Sequence, residues 1–429
     1  MFVLFPVRSA AFASLLAAVC TSLWAIEPLT LAEAQRIAVL QSRQLVAQDA
    51  LAAAARDQAI AAGQLPDPVL KLGLDSLPLN GPDRFSQSRD SFTMRRIGIS
   101  QEITGASKRL LRTEKFEREA ERLQAQRRVT LANVQRDAAL AWVDRHYAQA
   151  QRALLQQQFE ETRLQVQVAE SVFRTNRGSQ ADVFAARAAV IGMHDRLSQI
   201  GQQSHSAALT LARWLGTANA ERPTAGPPPW QSTRLEGDIL GGHLEQHPGL
   251  LAISAEVGAA ESDARLAQAN RKADISVEAS FGQRSPAFSN LLSIGISIPL
   301  QWDQKNRQDQ ELGAKLALVD EVKARYEDAL RSHEADVRGW LNDWQTGKER
   351  VARLRNELIP VTRQRYEAAL TAYRTGKGDL AATLAARRDE IEAHMQALNL
   401  EMETARSWAR INFLVPDDDT TSNHTRGQP

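Results

Sequence analysis

Charged side chains cluster in two matching stretches of the sequence, residues 173–190 and 373–390. Seven of the eighteen aligned positions are identical, namely Arg174/Arg374, Thr175/Thr375, Gly178/Gly378, Ala181/Ala381, Ala185/Ala385, Ala186/Ala386 and Arg187/Arg387. Asp182 of the first stretch has no acidic counterpart, because the second stretch has Ala382 there. Guanidinium, ammonium and carboxylate groups form ion pairs and hydrogen bonds, and exposed pairs of this kind contribute about 0.2–1 kcal/mol each. Such contacts can hold two surfaces together weakly and still allow them to separate.

The remaining reactive residues do not form a pattern typical of an enzyme. The chain has eight histidines and one cysteine, and no carboxylate cluster joins the histidines. We expect His146, His194, His205 and His333 to be helix-surface residues. No Gly-rich phosphate loop, nucleophile elbow or pocket with paired acids is found. The sequence predicts a protein that is not an enzyme and has no cofactor, metal site or nucleic-acid partner.

Residues 1–25 are typical of a secretory signal peptide, with an early arginine, an apolar centre and a small residue, Ala25, at the end. A buried first helix and lipidation at Cys20 are the alternatives. Removing residues 1–25 also removes the only cysteine and leaves a net charge of zero. No later segment approaches 18 consecutive apolar residues, so any membrane passage is expected to use β-strands.

The helical segments predict a rod built from two similar halves. Residues 106–177 contain neither Gly nor Pro, which predicts a single helix about 108 Å long. Helices predicted for 31–64 and from 179 to 215 together reach about the same length. The second half repeats this plan with helices at 240–271, 303–375 and 379–414. Pro360 is expected to kink the second long helix.

These segments define the predicted domain organisation. The first structural repeat covers 26–215, with a hairpin tip at 175–178. A Pro-rich connector follows at 216–238, without helical or strand periodicity. The second repeat covers 239–415, with its tip at 375–378. Residues 416–429 are expected to be disordered.

Four short segments alternate apolar and polar residues, as expected for strands. They lie at 69–77, 92–103, 274–282 and 291–300, forming two hairpins over 69–103 and 274–300. Glu102 and Glu278 fall on the polar faces and are expected to face a lumen. Segments of this length suit tilted membrane strands that are apolar outside and polar inside, although an ordinary half-exposed soluble sheet has the same pattern.

Four strands cannot close a barrel with an interior, and an open sheet edge is not tolerated in lipid. The pattern therefore predicts that copies of the chain combine their strands. Two, three or four copies would give eight, twelve or sixteen strands, and a lumen requires more than eight.

Several phrases of the sequence, in this order and spacing, resemble the TolC-type outer-membrane efflux factors: "LTLAEAQRIAV" (29–39), "LPDPVLKLGL" (65–74), "QHPGLLAISAEVGAAESDARLAQA" (246–269) and "IGISIPLQWDQKNR" (294–307). The resemblance covers essentially all of the chain after residue 25. It implies a mainly α fold with a small β part. Three copies would form a twelve-stranded transmembrane barrel and a twelve-helix periplasmic tunnel.

The resemblance also implies partners and cargo. A periplasmic adaptor and an inner-membrane resistance-nodulation-division pump would work with the homotrimer, which would sit in outer-membrane lipid as a passive exit duct. Residues 65–112 are similar to the branch that exports heavy-metal cations. A duct for organic toxins is the alternative cargo, and a periplasmic coiled-coil adaptor or scaffold is an alternative of another class.

The same resemblance assigns roles at the tips. An Asp and a Tyr hold the family's closed state, and these align with Asp182 and Tyr373. The charged tip residues expected near the adaptor are Arg174, Arg177, Arg374 and Lys377, and the glycines expected to permit the turns are Gly178, Gly376 and Gly378. Ala382 and Ala385 occupy positions that many relatives fill with a ring of acids. Either Asp379 supplies that charge, or the tunnel mouth is less cation-selective.

Overall fold

The computed structural model describes residues 27–176, 178–234 and 246–417. Most of the described residues are helical, and a pair of strands interrupts the helices in each half of the chain. The elements of the first half are α1 (Leu31–Gln41), α2 (Arg43–Ala62), β1 (Val69–Asp75), β2 (Met94–Ile103), α3 (Ala106–Arg174), α4 (Gln180–Leu215) and the short α5 (Thr217–Ala220).

The second half has the same order of helix, strand pair and helical hairpin. Its elements are α6 (Pro248–Ala269), β3 (Ile275–Gln283), β4 (Leu291–Ser297), a 3-10 turn (Gln304–Asn306), α7 (Gln308–Arg353), a π turn (Leu354–Leu358), α8 (Ile359–Arg374) and α9 (Leu380–Asn412). Helix α3 packs against α2 and α6 near the sheet and against α4 toward the tip.

The helix predicted over 31–64 is divided at Ser42. This residue ends α1 with an extended backbone, and its hydroxyl accepts the Leu45 N–H at 3.4 Å, which starts α2. Serine competes with the helical ladder by such local bonds and therefore favours caps. The prediction of one uninterrupted helix was wrong here.

The second long helix is also interrupted, and Pro360 supplies the cause. The predicted helix 303–375 begins only at Gln308, after the 3-10 turn, and its ladder widens into the π turn just before Pro360. Proline has no N–H, and its ring would clash with the carbonyl four residues earlier. A wider turn removes that clash, as π turns often do within long helices.

The connector is more ordered than its composition indicates. It contains α5, and Leu29 pairs with Thr224 in a parallel bridge. The predicted helix at 240–271 is seen as α6 from Pro248, which His247 caps. Residues 235–245, which hold the start of that prediction and the end of the connector, lie outside the described residues.

The four strands form one antiparallel sheet in the order β1-β2-β3-β4. Local chemistry makes two strands shorter than predicted. Ser76 has a positive φ of 55° and ends β1. Pro299 has no N–H to donate, so the ladder of β4 stops at Ser297.

One face of the sheet carries large apolar side chains that are exposed to solvent. Leu70 and Leu72 of β1 lie opposite Ile99 and Ile97 of β2, and all four are exposed. On the edge strand β4, Leu292, Ile294 and Ile296 are also exposed. No helix within the described ranges is long and apolar enough to cross a membrane.

The largest buried cluster lies near the middle of α3, where both halves of the chain meet. Three tryptophans fix the N-terminal segment and the connector there. Each donates its indole N–H to a loop carbonyl: Trp142 to Leu29 at 3.0 Å, Trp344 to Trp230 at 2.6 Å, and Trp408 to Ser232 at 2.7 Å. A buried carbonyl without a donor would cost about 1–3 kcal/mol. These bonds therefore hold the helical rod and the loops in one arrangement.

A histidine pair lies at the edge of this cluster. The His247 and His333 rings are 3.8 Å apart between centroids, and Nδ1 of His247 accepts the Gly249 N–H at 3.1 Å. Burial, His333 and Arg136 together lower the pKa of His247 to about 4. His333 and His146 are both half-buried, so their predicted place on the helix surface was wrong.

We expect acid to destabilise the protein through His247. Its pKa is lower in the folded chain than the ordinary value near 6.5, so the unfolded chain binds more protons between pH 6.5 and 4. The contribution of His247 to the free energy of unfolding should therefore fall as the pH drops through this window and level off below it.

The comparison variant is His247→Asn, which keeps a capping oxygen but does not titrate. Urea unfolding of the purified protein at pH 7 and pH 4.5 should show an acid-induced loss of stability smaller by about 1–2 kcal/mol in the variant. An equal loss in both proteins would show that His247 is not responsible.

Candidate functional site at the hairpin tips

The two hairpin turns have closely similar backbones. Asn176 and Gly376 occupy equivalent positions with φ values of 61° and 72°. Their N–H groups bond to the carbonyls of Phe173 and Tyr373 at 3.0 and 3.1 Å. Gly376 therefore has the left-handed conformation expected of a turn glycine, and asparagine, which tolerates this conformation, replaces it in the first turn.

Gly178 and Gly378 serve a different purpose from the predicted one. Neither has a positive φ. A Cβ at Gly178 would lie 3.0 Å from Cγ1 of Val172, and one at Gly378 would lie 3.0 Å from Cβ of Ala372. These two glycines permit a close approach to the preceding helix rather than the reversal of the chain.

Asp182 lies in the first turn of helix α4. Its Oδ2 accepts the Ser179 N–H at 2.9 Å, while the Ser179 hydroxyl accepts the Asp182 N–H at 3.1 Å. This reciprocal pair is a capping box, which satisfies two donors that a helix end otherwise leaves free. The carboxylate also lies at the positive end of the helix dipole.

Asp379 stabilises the start of the helix after the second turn, but from a different position. It caps α9, and its Oδ1 accepts the Ala382 N–H at 2.6 Å. In the aligned stretches, Ser179 matches Asp379 and Asp182 matches Ala382. The acid has thus moved from the third helical position to the cap itself, which explains why the second copy has alanine where the first has Asp182.

Tyr373 lies close to Asp182 within the same chain. Its ring packs beside a small cluster that includes Ala169 and Val183 of the first hairpin and Leu380 of the second. The hydroxyl is buried and has no hydrogen-bond partner among the described residues. Burial and, next, the charge of Asp182 raise the pKa of Tyr373. The Tyr373 hydroxyl therefore lies near the Asp182 carboxylate without a hydrogen bond to it.

The predicted basic residues differ in their surroundings. Arg174 lies 3.7 Å from Glu170, which also binds Arg187 at 2.8 Å. Arg374 and Lys377 are exposed, and neither forms an ion pair within the part of the chain that the structure describes. Arg177 lies outside the described residues.

The predicted lumen acids lie on the polar face of the sheet, but one of them is paired. Glu278 accepts a bond from the Lys71 ammonium at 2.5 Å. Gly98, opposite both Lys71 and Ser280 in the register, lets the lysine reach across β2. A Cβ at Gly98 would lie only 2.8 Å from that of Ser280. Glu102 remains exposed. Glu278 is therefore already paired with a lysine, and the expectation that both acids face a lumen stays a prediction.

A buried arginine joins the two hairpins, and sequence reasoning missed it. The Arg387 side chain on α9 is 7% exposed and bonds to Glu161 on α3 and, at 2.7 Å, to Glu390. Its guanidinium lies 4.7 Å from the ring centroid of Tyr366. The hydroxyl of that tyrosine accepts a bond from Gln165 of α3 at 3.1 Å. The identity of Arg187 and Arg387 in the repeat drew attention to this position. Nothing in the sequence indicated the partners of either arginine.

Small residues leave a groove beside this network. It has a volume of about 500 Å³ and is lined by Ala185, Ala189 and Gly192 of α4 and by Ala381 and Ala385 of α9. Ala385 is one of the two positions where an acid was expected from the family resemblance. At the described residues, no group of three or more His, Cys, Asp or Glu side chains could hold a metal ion.

With this geometry in view, known proteins supply the comparison. Residues 240–415 match the family model Outer membrane efflux protein. No curated protein matches the sequence.

Solved structures extend the likeness to nearly the whole chain. The outer-membrane channel OprN is 19% identical with a TM-score of 0.76, and the alignment covers 90% of each chain. The CmeC outer membrane channel of Campylobacter jejuni is 14% identical with a TM-score of 0.75, covering 92% of this chain and 88% of CmeC. CusC is 15% identical with a TM-score of 0.73, covering 90% and 92%. The chain therefore has the fold of these outer-membrane channels.

We expect the Arg387 network to stabilise the contact between the hairpins. Arg387→Met removes the charge and leaves Glu390, whose side chain is 9% exposed, without its partner. Breaking such a buried pair should cost about 2–4 kcal/mol.

The repeat offers a matched control, since Arg187→Met removes the equivalent arginine, whose side chain is 56% exposed. That change should cost less than about 1 kcal/mol. Urea unfolding of both variants in detergent measures the difference. Equal losses would contradict the assignment of a structural role to the buried network.

Proposed function

We propose that this protein is the outer-membrane exit duct of an efflux system and acts as a transport channel rather than an enzyme. The observation that carries the proposal is the four-stranded sheet, whose apolar face is exposed at the end of long helical hairpins. A membrane explains this exposure, because large exposed apolar surfaces on a protein mark sites that contact lipid or other proteins. The family match over residues 240–415 and the shared channel fold support it.

The assembly is a homotrimer with a twelve-stranded barrel and a twelve-helix periplasmic tunnel. Strands β1 and β4 are the edges of the sheet, and each has one side without a partner strand in the described chain. In lipid such edges must be paired, so β4 of one copy pairs with β1 of the next. Three copies close the ring and supply six hairpin tips. The two halves, 26–215 and 239–415, are structural repeats of one unit.

The duct works with a periplasmic adaptor and an inner-membrane resistance-nodulation-division pump, as the sequence resemblance implies. The exposed Arg374 and Lys377 at the second tip suit an adaptor surface that carries acidic groups. Arg177 would join them in the first tip. The pump supplies the energy and selects the cargo, while this chain supplies a passive path.

Asp182 and Tyr373 hold the tips closed. The buried hydroxyl of Tyr373 lacks a partner, while Asp182 uses Oδ2 for its capping bond and keeps Oδ1 as an acceptor. A small movement of the tips, of the kind that ring closure in the trimer requires, would join the hydroxyl to that oxygen. The tether is then lost when the hairpins separate.

Tyr373→Phe and Asp182→Asn should each raise the single-channel conductance in planar bilayers, because each removes one side of the tether. The asparagine retains an oxygen for the Ser179 N–H, so the helix start is preserved. Asp379→Asn is the matched control, since it removes an acid from the equivalent turn without touching the tether.

The control should leave the conductance unchanged. If Asp379 supplies negative charge at the mouth, its replacement should instead lower the preference for cations, measured as a reversal potential. Wild-type conductance in both tether variants would contradict the role assigned to Asp182 and Tyr373.

We propose heavy-metal cations as the cargo, on the similarity of residues 65–112 to that branch of the family. Organic toxins and antibiotics are the alternative. A strain that lacks the gene should grow poorly on a panel of heavy metals and normally on dyes and antibiotics. Equal sensitivity to both panels would contradict the metal assignment and favour a duct for organic compounds.

A periplasmic coiled-coil adaptor or scaffold is the alternative of another class. An adaptor is expected to have one helical hairpin flanked by lipoyl-like β halves, and a scaffold would lack the strands altogether. Fractionation separates the classes, because a duct is found in the outer membrane as a heat-modifiable trimer. A soluble monomer in the periplasm would contradict the channel.

A further inference from the structure

The apolar stripe of β4 continues beyond the end of the strand. Every second side chain from residue 292 to residue 302 is large, apolar and exposed: Leu292, Ile294, Ile296, Ile298, Leu300 and Trp302. Trp302 is 88% exposed, more than any other large apolar side chain of the described residues. It lies where the stripe ends and the helices begin.

The segment that carries Trp302 is fastened to the turn after α6. The amide of Gln301 donates to the Asn270 carbonyl at 3.2 Å, and the amide of Gln304 donates to the Arg271 carbonyl at 3.1 Å. These two glutamines are also bonded to each other at 2.8 Å. The indole is therefore presented outward by a backbone held on both sides.

Basic residues lie near Trp302 along the chain, two of them in the same segment and one in the turn to which this segment is bonded. Lys272, Lys305 and Arg307 are exposed, and none of them forms an ion pair within the described ranges. Asp309 is paired with Arg271 at 3.0 Å, while Asp303 accepts a bond from the neutral Asn306 amide at 2.9 Å and balances only one of the three cations. The surface beside Trp302 thus carries an excess of positive charge.

We propose that Trp302, with Lys272, Lys305 and Arg307, binds the head-group layer of the glycerophospholipid leaflet on the helical, periplasmic side of the membrane. The indole ring lies at the boundary of lipid and water, and the three cations contact lipid phosphates. This inference rests on the proposed outer-membrane function and adds the contact that sets the depth of the barrel in the bilayer.

The dimensions and the chemistry agree with this placement. At about 3.3 Å per residue of extended chain, the stripe from Leu292 to Trp302 spans at most about 33 Å, and a strand tilt near 45° reduces this to about 23 Å. The apolar band of membrane barrels is about 25 Å tall, with aromatic residues at both borders. Basic residues next to such a border attract anionic lipid.

Tryptophan emission in vesicles of brominated phosphatidylcholine tests the position of Trp302. Bromine on the upper part of the acyl chains quenches an indole near the head groups, and bromine near the chain ends does not. Trp142, Trp230, Trp344 and Trp408 are buried in the helical part of the chain, so they are shielded from the lipid. The wild-type protein is compared with Trp302→Phe, and Trp214→Phe serves as the control.

The quenched fraction of the wild type should fall about threefold or more in Trp302→Phe, and it should persist in Trp214→Phe. Conductance is recorded from the same vesicles. A conducting channel whose emission resists the bromine, as when a neighbouring copy covers the indole, would overturn the inference and leave the proposed function standing. A protein that neither inserts nor conducts would overturn both.

The cations are tested with phosphatidylglycerol added to the detergent-solubilised protein. Anionic lipid should raise the melting temperature of the wild type, and Lys305→Gln combined with Arg307→Gln should remove at least half of that rise. Arg43→Gln combined with Arg56→Gln, two exposed arginines of α2, should leave it unchanged. An equal loss of the rise in melting temperature in both double variants would show that the lipid acts through unspecific charge, and it would contradict the proposed lipid-binding site.

Discussion

The edges of the sheet constrain everything else in this molecule. Four strands in the order β1-β2-β3-β4 leave β1 and β4 each with one side unpaired among the described residues, and most of the large apolar side chains of these strands are exposed. Neither feature is stable for an isolated chain in water, because unpaired edges and apolar faces invite association. A ring of copies in a bilayer satisfies both at once, which connects the geometry of one chain to its proposed work as a duct.

The helices connect the sheet to the hairpin tips at the opposite end of the chain. Helix α3 runs from the sheet to the tip, and the indole bonds of Trp142, Trp344 and Trp408 fasten the loops around its middle. Near the tip, Arg387 binds Glu161 across the two hairpins in a largely buried setting. Beyond it, the hairpins are held by the small buried cluster around Ala169, Val183 and Leu380, while the charged groups of the turns are exposed. This cluster is much smaller than the one at the middle of α3, as the proposed opening of the tips requires.

Much of this fold could be predicted from the sequence, because periodicity and the absence of Gly and Pro are local signals. The break at Ser42 was missed, because local capping divided a helix that looked uniform, whereas a distortion at Pro360 was expected and the π turn lies just before it. At the tips, the spacing of Ser179 and Asp182 contains a capping signal that explains the acid more simply than a gate alone. The Arg387–Glu161 bond joins residues 226 positions apart, and the Lys71–Glu278 pair depends on the strand register. Neither could be found without the folded chain.

The pairing of β4 with β1 of another copy is the central claim, and disulfide cross-linking tests it most directly. The chain has one cysteine, Cys20, within the predicted signal peptide, so introduced cysteines have no competitors after its removal. Lys71→Cys would be combined in turn with Ser293→Cys and Ser297→Cys, all on the polar face, to sample the register between copies. Oxidation should give linked dimers and trimers, and nothing larger, for at least one pair, while each single variant stays monomeric on denaturing gels. Folded protein that remains entirely monomeric in every pair would contradict the account.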